Sequence, residues 1–322
     1  MQYSIYSDLE WTYPDSPFIP LRPVLLETAR GGHAAFQLLG ETLPSQTALC
    51  VSMEWETQEA GNGLTLFTGE LLPVGVDENT SATFMTTTDY DSCREFVTRK
   101  APFYVYDAIR PADAVLTGTR LALYLCFQAA SDARPGLRCG TLHIHIGNTQ
   151  LDIPVSCVIR SACIPSLEKA RFGMLNFFDY EDLGHQHGAD PESNEYWELF
   201  RLYVRAQLHM RCTHILLPPG RPVYENGHLA GFDFTAAQRA GRIAAEEGAP
   251  YLCGGHIAHW SEWTGEEYFL AWDSSTGVTT QEGYLQLRRY FTAWAGIVRE
   301  NGWEGRMTQA LADEPQQGNA RT

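Results

Sequence analysis

From Met1 to about Ile159 the apolar residues fall in short runs at alternate positions, separated by Gly, Pro, Asn and Asp, with little helical periodicity. Strands are expected at residues 35–39, 48–55, 64–71, 82–88, 103–106, 120–128, 140–146 and 150–159. Short strands at this spacing predict a β-sandwich. The clearest hairpin is Thr141-Leu142-His143-Ile144-His145-Ile146, turned by Gly147-Asn148 and answered by Leu151, Ile153, Val155 and Cys157. Its alternation puts one face in the core and one in solvent. His143 and His145 share the solvent face; with no third ligand nearby in sequence, they read as solvated side chains and not as a metal site.

The pattern changes after about residue 160, with Ile164-Pro165-Ser166 as a linker, so the expected domains are 1–160 and 161–322. Phe172-Gly173-Met174-Leu175-Asn176-Phe177-Phe178 reads as a buried strand, followed by a polar loop through Asp179, His185, His187 and Asp190. These last residues are of metal-ligating type, but a solvated loop is the simpler reading. Ser193 fits an N-cap for a helix carrying Tyr196, Trp197, Phe200, Tyr203 and Val204 at helical spacing. A strand at 213–217 is closed by Pro218-Pro219, and a helix at 236–247 ends at Gly248. A third strand at 251–257 leads into a loop rich in aromatics and acids, through His259, Trp260, Trp263, Trp272 and Asp273. A helix over 281–301 then precedes the apolar run Met307-Thr308-Gln309-Ala310-Leu311-Ala312, which ends on Asp313-Glu314-Pro315.

The fold class expected is therefore multidomain, β followed by α/β: an amino-terminal β-sandwich and then strand, helix, strand, helix, strand, helix, strand, the first half of a (β/α)8 TIM barrel. A whole barrel takes about 250 residues. Only about 160 follow the sandwich, which is read as truncation within the barrel. Such a half barrel leaves the edge of its fourth strand unpaired, so association through that open edge is expected.

Composition narrows the partners. The 39 acidic residues outnumber the 23 basic ones, a formal charge of −16 that disfavours nucleic acid and anionic membrane. The eight cysteines form no CxxC pair and no zinc-like spacing, so reduced thiols are expected, with neither metal nor cofactor. The first ten residues lack a basic start and an apolar segment, and no run approaches the roughly 20 apolar residues of a membrane span. A cytoplasmic location is the expectation.

Candidate chemistry sits at the end of the fourth barrel strand. In parallel α/β barrels the carboxyl ends of the strands carry the active site, and Asp313 and Glu314 are two adjacent acids at such an end. Pro315 breaks the strand there, which lets two neighbouring side chains turn toward one ligand instead of to opposite sides.

Several stretches together resemble glycoside hydrolase family 123. In the first half these are Ala29-Arg30-Gly31-Gly32-His33-Ala34-Ala35-Phe36-Gln37-Leu38 and Asp132-Ala133-Arg134-Pro135-Gly136-Leu137-Arg138-Cys139-Gly140-Thr141-Leu142. In the second they are Glu192-Ser193-Asn194-Glu195-Tyr196-Trp197, Thr213-His214-Ile215-Leu216-Leu217-Pro218, Phe232-Asp233-Phe234-Thr235 and Ala312-Asp313-Glu314-Pro315. The resemblance implies a retaining glycosidase acting on β-linked N-acetylgalactosamine or another 2-acetamido sugar by substrate assistance, a recognised departure from the two-carboxylate scheme. It implies Glu314 as general acid/base, protonated to donate, and Asp313 as the group that orients the acetamido N–H. Asn176, His256, Trp260, Trp263, Trp272 and Asp273 are expected to contact the sugar, though packing among loops accounts for them equally well. Two alternatives stay open: another retaining glycosidase whose nucleophile lies on a later strand, or a non-catalytic glycan-binding relative.

Overall fold

The computed structural model describes residues 1–322 except 80–97, 113, 178, 263–264 and 314–322. The expected strand at 82–88 lies outside the described residues. Two compact units are formed, Met1–Ile164 and Pro165–Thr322.

Ten strands make up the described part of the first unit: β1 (Tyr3–Ser7), β2 (Val24–Arg30), β3 (His33–Thr42), β4 (Thr47–Trp55), β5 (Leu64–Val76), β6 (Phe103–Pro111), β7 (Val115–Leu116), β8 (Arg120–Ala129), β9 (Gly136–Ile146) and β10 (Thr149–Cys163). They form two five-stranded sheets, ordered β1-β3-β8-β5-β6 and β2-β10-β9-β4-β7. Leu38, Leu123, Leu125 and Phe127 from one sheet share a single core with Leu142, Ile144, Ile153 and Val155 from the other. Alternate residues of each strand thus face inward, the arrangement of a sandwich. The β9–β10 hairpin pairs Ile146 with Thr149 around Gly147, whose φ of 55° suits the left-handed turn.

On the solvent face of that hairpin His143 is held by two carboxylates. Its Nδ1 lies 2.7 Å from Asp152 Oδ1 and its Nε2 3.2 Å from Glu54 Oε2, on the two strands flanking β9. The Asp152 hydrogen bond, then that of Glu54, raises the imidazole above its ordinary value of 6.5. The sign follows from linkage: the ion pairs contribute fully below the ordinary histidine range and are lost as pH rises through the raised folded value. NMR titration should show His143 titrating above 6.5, with Asp152→Asn lowering it. Because both carboxylates are more than half exposed, added salt should shrink the shift. A His143 that titrates at the value of a free imidazole would contradict this.

The second unit contains α1 (Tyr180–His187), α2 (Asn194–His209), β11 (His214–Leu217), β12 (Arg221–Glu225), β13 (His228–Asp233), α3 (Thr235–Glu246), β14 (Tyr251–Gly254), β15 (Ala258–Trp260), β16 (Tyr268–Leu270), β17 (Asp273–Gly277), α4 (Gln281–Glu300) and β18 (Met307–Gln309). Strands β11, β14 and β18 lie side by side, all parallel and in chain order. A parallel bridge from Leu175 to His214 adds a fourth strand position before β11. The described residues thus make an open parallel sheet with helices in the connections, and no closed barrel.

Packing explains why the helices lie where they do. Ser193 Oγ accepts the Tyr196 N–H at 3.1 Å and starts α2; Thr280 Oγ1 accepts the Gly283 N–H at 3.0 Å and starts α4. Phe200 and Val204 of α2, Ala237, Ala240 and Ala244 of α3, and Trp294 of α4 pack in one core with Ile215, Leu217 and Leu252 of the sheet. Gly241 is required there, since a Cβ on it would stand 2.4 Å from the Trp303 indole. Across the helix surfaces Arg205 and Arg201 bind Glu247 and hold its carboxyl down to about 2.

Two expectations are corrected. The buried strand at 172–178 shrinks to Leu175: Phe172 is 80% and Phe177 57% exposed, because among the described residues this segment meets β11 through the single bridge from Leu175 to His214. The polar loop at 179–190 contains helix α1 instead. Asp179 caps its start by accepting the Glu181 and Asp182 N–H groups, and Gly188, at φ 62°, ends it.

Candidate active site

The carboxyl ends of the parallel strands gather four segments. After Leu175 come Asn176 and Phe177, after β11 comes Pro218, after β14 come Gly255 and His256, and after β18 come Ala310 to Asp313. Strand β18 is shorter than the apolar run suggested. Beyond Gln309 the chain leaves the ladder and crosses the segment following β14: Ala310 N–H donates to Gly254 O, and Leu311 O accepts from Ile257 and Ala258 N–H at 3.1 and 2.9 Å. Asp313 lies past this crossing, solvent-exposed in a bend, its backbone carbonyl accepting the Tyr268 hydroxyl at 3.4 Å. Tyr268 is itself buried, so the main chain carrying Asp313 is tied to β16 while its carboxylate stays in solvent. Glu314 and Trp263 lie outside the described residues.

Two residues passed over in sequence belong to this end of the sheet. Gln309 closes β18 and lays its amide over β14, with Nε2 donating to Gly255 O at 2.6 Å and to Ala310 O at 2.8 Å. Gly254 must lack a side chain for this, because its Cβ would sit 2.0 Å from Gln309 Oε1. Phe177 is the second. Its exposed ring lies 5.7 Å from the half-buried His256 imidazole, inclined at 42°. An exposed aromatic face of this kind can stack on the apolar face of a sugar. A phenylalanine within Phe177-Phe178 signals core burial in sequence, and only its lack of a facing layer brings it to the surface.

The other expected contacts are placed as follows. Asn176 is exposed beside Phe177, and its backbone N–H hydrogen-bonds the buried Cys212 thiol, partly offsetting the rise that burial causes. His256 stands next to Phe177. Trp260 ends β15, half-buried and paired with Tyr268. Trp272 is committed to packing: it stacks on Tyr290 at 5.2 Å and 9°, meets Phe232 edge-on, and donates its indole N–H to Gln286 Oε1 at 2.8 Å. Asp273 folds back on its own turn, accepting from Ser275 N–H and hydroxyl and from the Thr276 hydroxyl, which hold its carboxyl below the ordinary range. Asn176, Phe177, His256 and Asp313 thus share one end of the sheet, whereas Trp272 belongs to the core beneath it. Among the described residues no group of three metal-ligating side chains comes together, and no helix is long and apolar enough to cross a membrane.

No protein-family model matches the sequence, and no curated protein matches it. Among solved structures, a family 123 glycoside hydrolase from Clostridium perfringens, described for glycolipid glycan hydrolysis, superposes on 98% of this chain with a TM-score of 0.70 and 9% identity. In fold, the chain is similar to a family 123 glycoside hydrolase. It spans 59% of the length of that hydrolase chain. The likeness covers both units and is one of fold, as the identity is low. A CooA pilin subunit from enterotoxigenic Escherichia coli (8% identity, 50% of this chain and 99% of that one, TM-score 0.20) and the BspA carboxy-terminal domain of Streptococcus agalactiae (11%, 49% and 49%, TM-score 0.19) share too little to carry an argument.

Proposed function

We propose that this chain carries part of a retaining glycoside hydrolase that cleaves β-linked N-acetylgalactosamine, or another 2-acetamido sugar, by substrate assistance. The supporting observation is the hydrolase-like fold over 98% of the chain, coupled to the Asp313-Glu314-Pro315 run just past the carboxyl end of β18. On this reading the open parallel sheet is the first half of a (β/α)8 barrel, and active-site residues occupy the strand ends. The acetamido oxygen attacks the anomeric carbon as the glycosidic bond breaks, and Glu314 gives its proton to the leaving oxygen. Asp313 accepts the acetamido N–H and stabilises the cationic ring that forms. Water, deprotonated by Glu314, then opens the ring and restores the acetamido group with net retention. Phe177 and His256 form the aromatic wall for the sugar; of the residues the sequence reading expected to contact it, His256 keeps that role and Phe177 is added.

The test is release of 4-nitrophenol from its β-N-acetylgalactosaminide, β-N-acetylglucosaminide and β-galactoside. Cleavage of an acetamido sugar with the plain galactoside inert is the expected result, since the nucleophile belongs to the substrate. Equal cleavage of galactoside and N-acetylgalactosaminide would overturn substrate assistance. No release from any of the three, by this chain or one extended to a full barrel, would overturn the hydrolase reading for these sugars.

A further inference from the structure

Where the chain leaves β18, one side chain ties two strand ends together. Gln309 closes β18 and pairs with Gly254, the last residue of β14. Its Nε2 carries two protons and places both on backbone carbonyls, Gly255 O at 2.6 Å and Ala310 O at 2.8 Å. Only the NH2 end of the amide can face two carbonyls, which fixes which way round it lies. Gly255 directly precedes His256, and Ala310 is the first residue beyond the strand. The backbone closes the same crossing: Ala310 N–H donates to Gly254 O at 3.2 Å, and Leu311 O accepts from the Ile257 and Ala258 N–H groups. Asp313 follows shortly after Leu311.

This amide is arranged for geometry more than for stability. Its Oε1 is buried with no donor among the described residues, which costs stability. A methionine of similar length would fill the space without an orphaned acceptor. What the amide alone supplies is a pair of donors that hold Gly255 O and Ala310 O at one spacing. That spacing sets how the His256 segment lies against the segment that leads to Asp313. A misplacement of about 1 Å between groups that act on one substrate can lower a rate about 10²-fold. We propose that Gln309 is a positioning residue: it holds the His256 and Asp313 segments in register, so that one acetamido sugar meets both. This rests on the hydrolase reading for its substrate, and it gives a role to a residue that touches neither the sugar nor the reacting atoms.

Gln309→Met in the full chain is the test, since it keeps the side-chain length and removes both donors. Amide hydrogen exchange at Ile257 and Ala258 should speed up about tenfold or more in the folded variant. Leu252 of β14, which donates to Arg306 O, should exchange as in wild type. On the 4-nitrophenyl acetamido sugar that wild type cleaves best, kcat should fall about 10–10²-fold, with KM changed less than about threefold. A role confined to folding would leave kcat of the folded variant at its wild-type value. Unchanged exchange at Ile257 and Ala258, exchange raised equally at Leu252, or an unchanged kcat would each overturn the assignment. The two readings fail separately. Faster exchange at the crossing with no turnover by wild type sinks the hydrolase reading while Gln309 still holds the crossing. Wild-type turnover with kcat intact in Gln309→Met sinks the positioning role alone.

Discussion

Glu314→Gln is expected to lower kcat/KM on a β-N-acetylgalactosaminide by about 10²–10⁴-fold, the range that general acid/base catalysis supplies. The amide keeps the shape of the acid but has no acidic proton to give to the leaving oxygen. The loss should depend on the leaving group. 4-Nitrophenolate departs with little protonation, so the aryl glycoside should fall toward the lower end of that range. A sugar aglycone, a poor leaving group, should fall toward the upper end. Asp313→Asn should behave differently, since it acts on the acetamido group and not on the leaving oxygen. Its loss, about 10²–10³-fold by comparison with removal of one transition-state hydrogen-bonding group, should be similar for both aglycones. Kinetics of the two variants on two substrates decide the assignment. A Glu314→Gln enzyme as fast as wild type on the sugar aglycone would remove Glu314 from the mechanism.

Different parts of the fold were legible for different reasons. The β9–β10 hairpin was plain because Leu142, Ile144, Ile153 and Val155 all face one core and alternate with residues that face solvent. Strand β2 was not, although Val24, Leu26 and Thr28 are buried in alternation. It follows Pro20 and Pro23, which read as loop, and its partner β10 is parallel and distant in sequence. The β12–β13 hairpin was missed despite a strong local signal. Asn226-Gly227, at φ 53° and 80°, forms the two-residue turn that this dipeptide favours, but the polar flanks of an exposed ribbon hid the strands. Helix α1 was hidden similarly, since two histidines and three acids or amides leave it little apolar face.

At this end of the sheet the sequence marked the strand ends, but not which aromatic rings pack and which stay exposed. Trp272 and Trp260 were equivalent as letters in a loop, yet the pairing of Leu270 with Asp273 turns the Trp272 indole inward to Tyr290. Phe177 moved the other way, from expected core to exposed surface. Both reversals come from which neighbouring layer is present, and a single chain's periodicity carries no record of that.

Tyr290→Ala is expected to destabilise the second unit by about 3–5 kcal/mol, the cost of deleting a buried aromatic ring. The ring is only 1% exposed and sits at the junction of three elements. It stacks on Trp272 beside β17, meets Phe232 of β13 and Phe234 ahead of α3 near right angles, and accepts the buried Gly220 N–H on its hydroxyl at 3.1 Å. Tyr290→Phe keeps every ring contact and strands only that N–H, a cost of about 1–3 kcal/mol. Denaturant unfolding should therefore show the two variants in that order, with the midpoint shifted and the slope unchanged for Tyr290→Phe. The connections that follow β11 and β14 are joined through this residue, so both should loosen together in Tyr290→Ala, with faster amide exchange in β13 and β17. Equal destabilisation by the two variants would place the hydroxyl, not the ring, at the centre of this core.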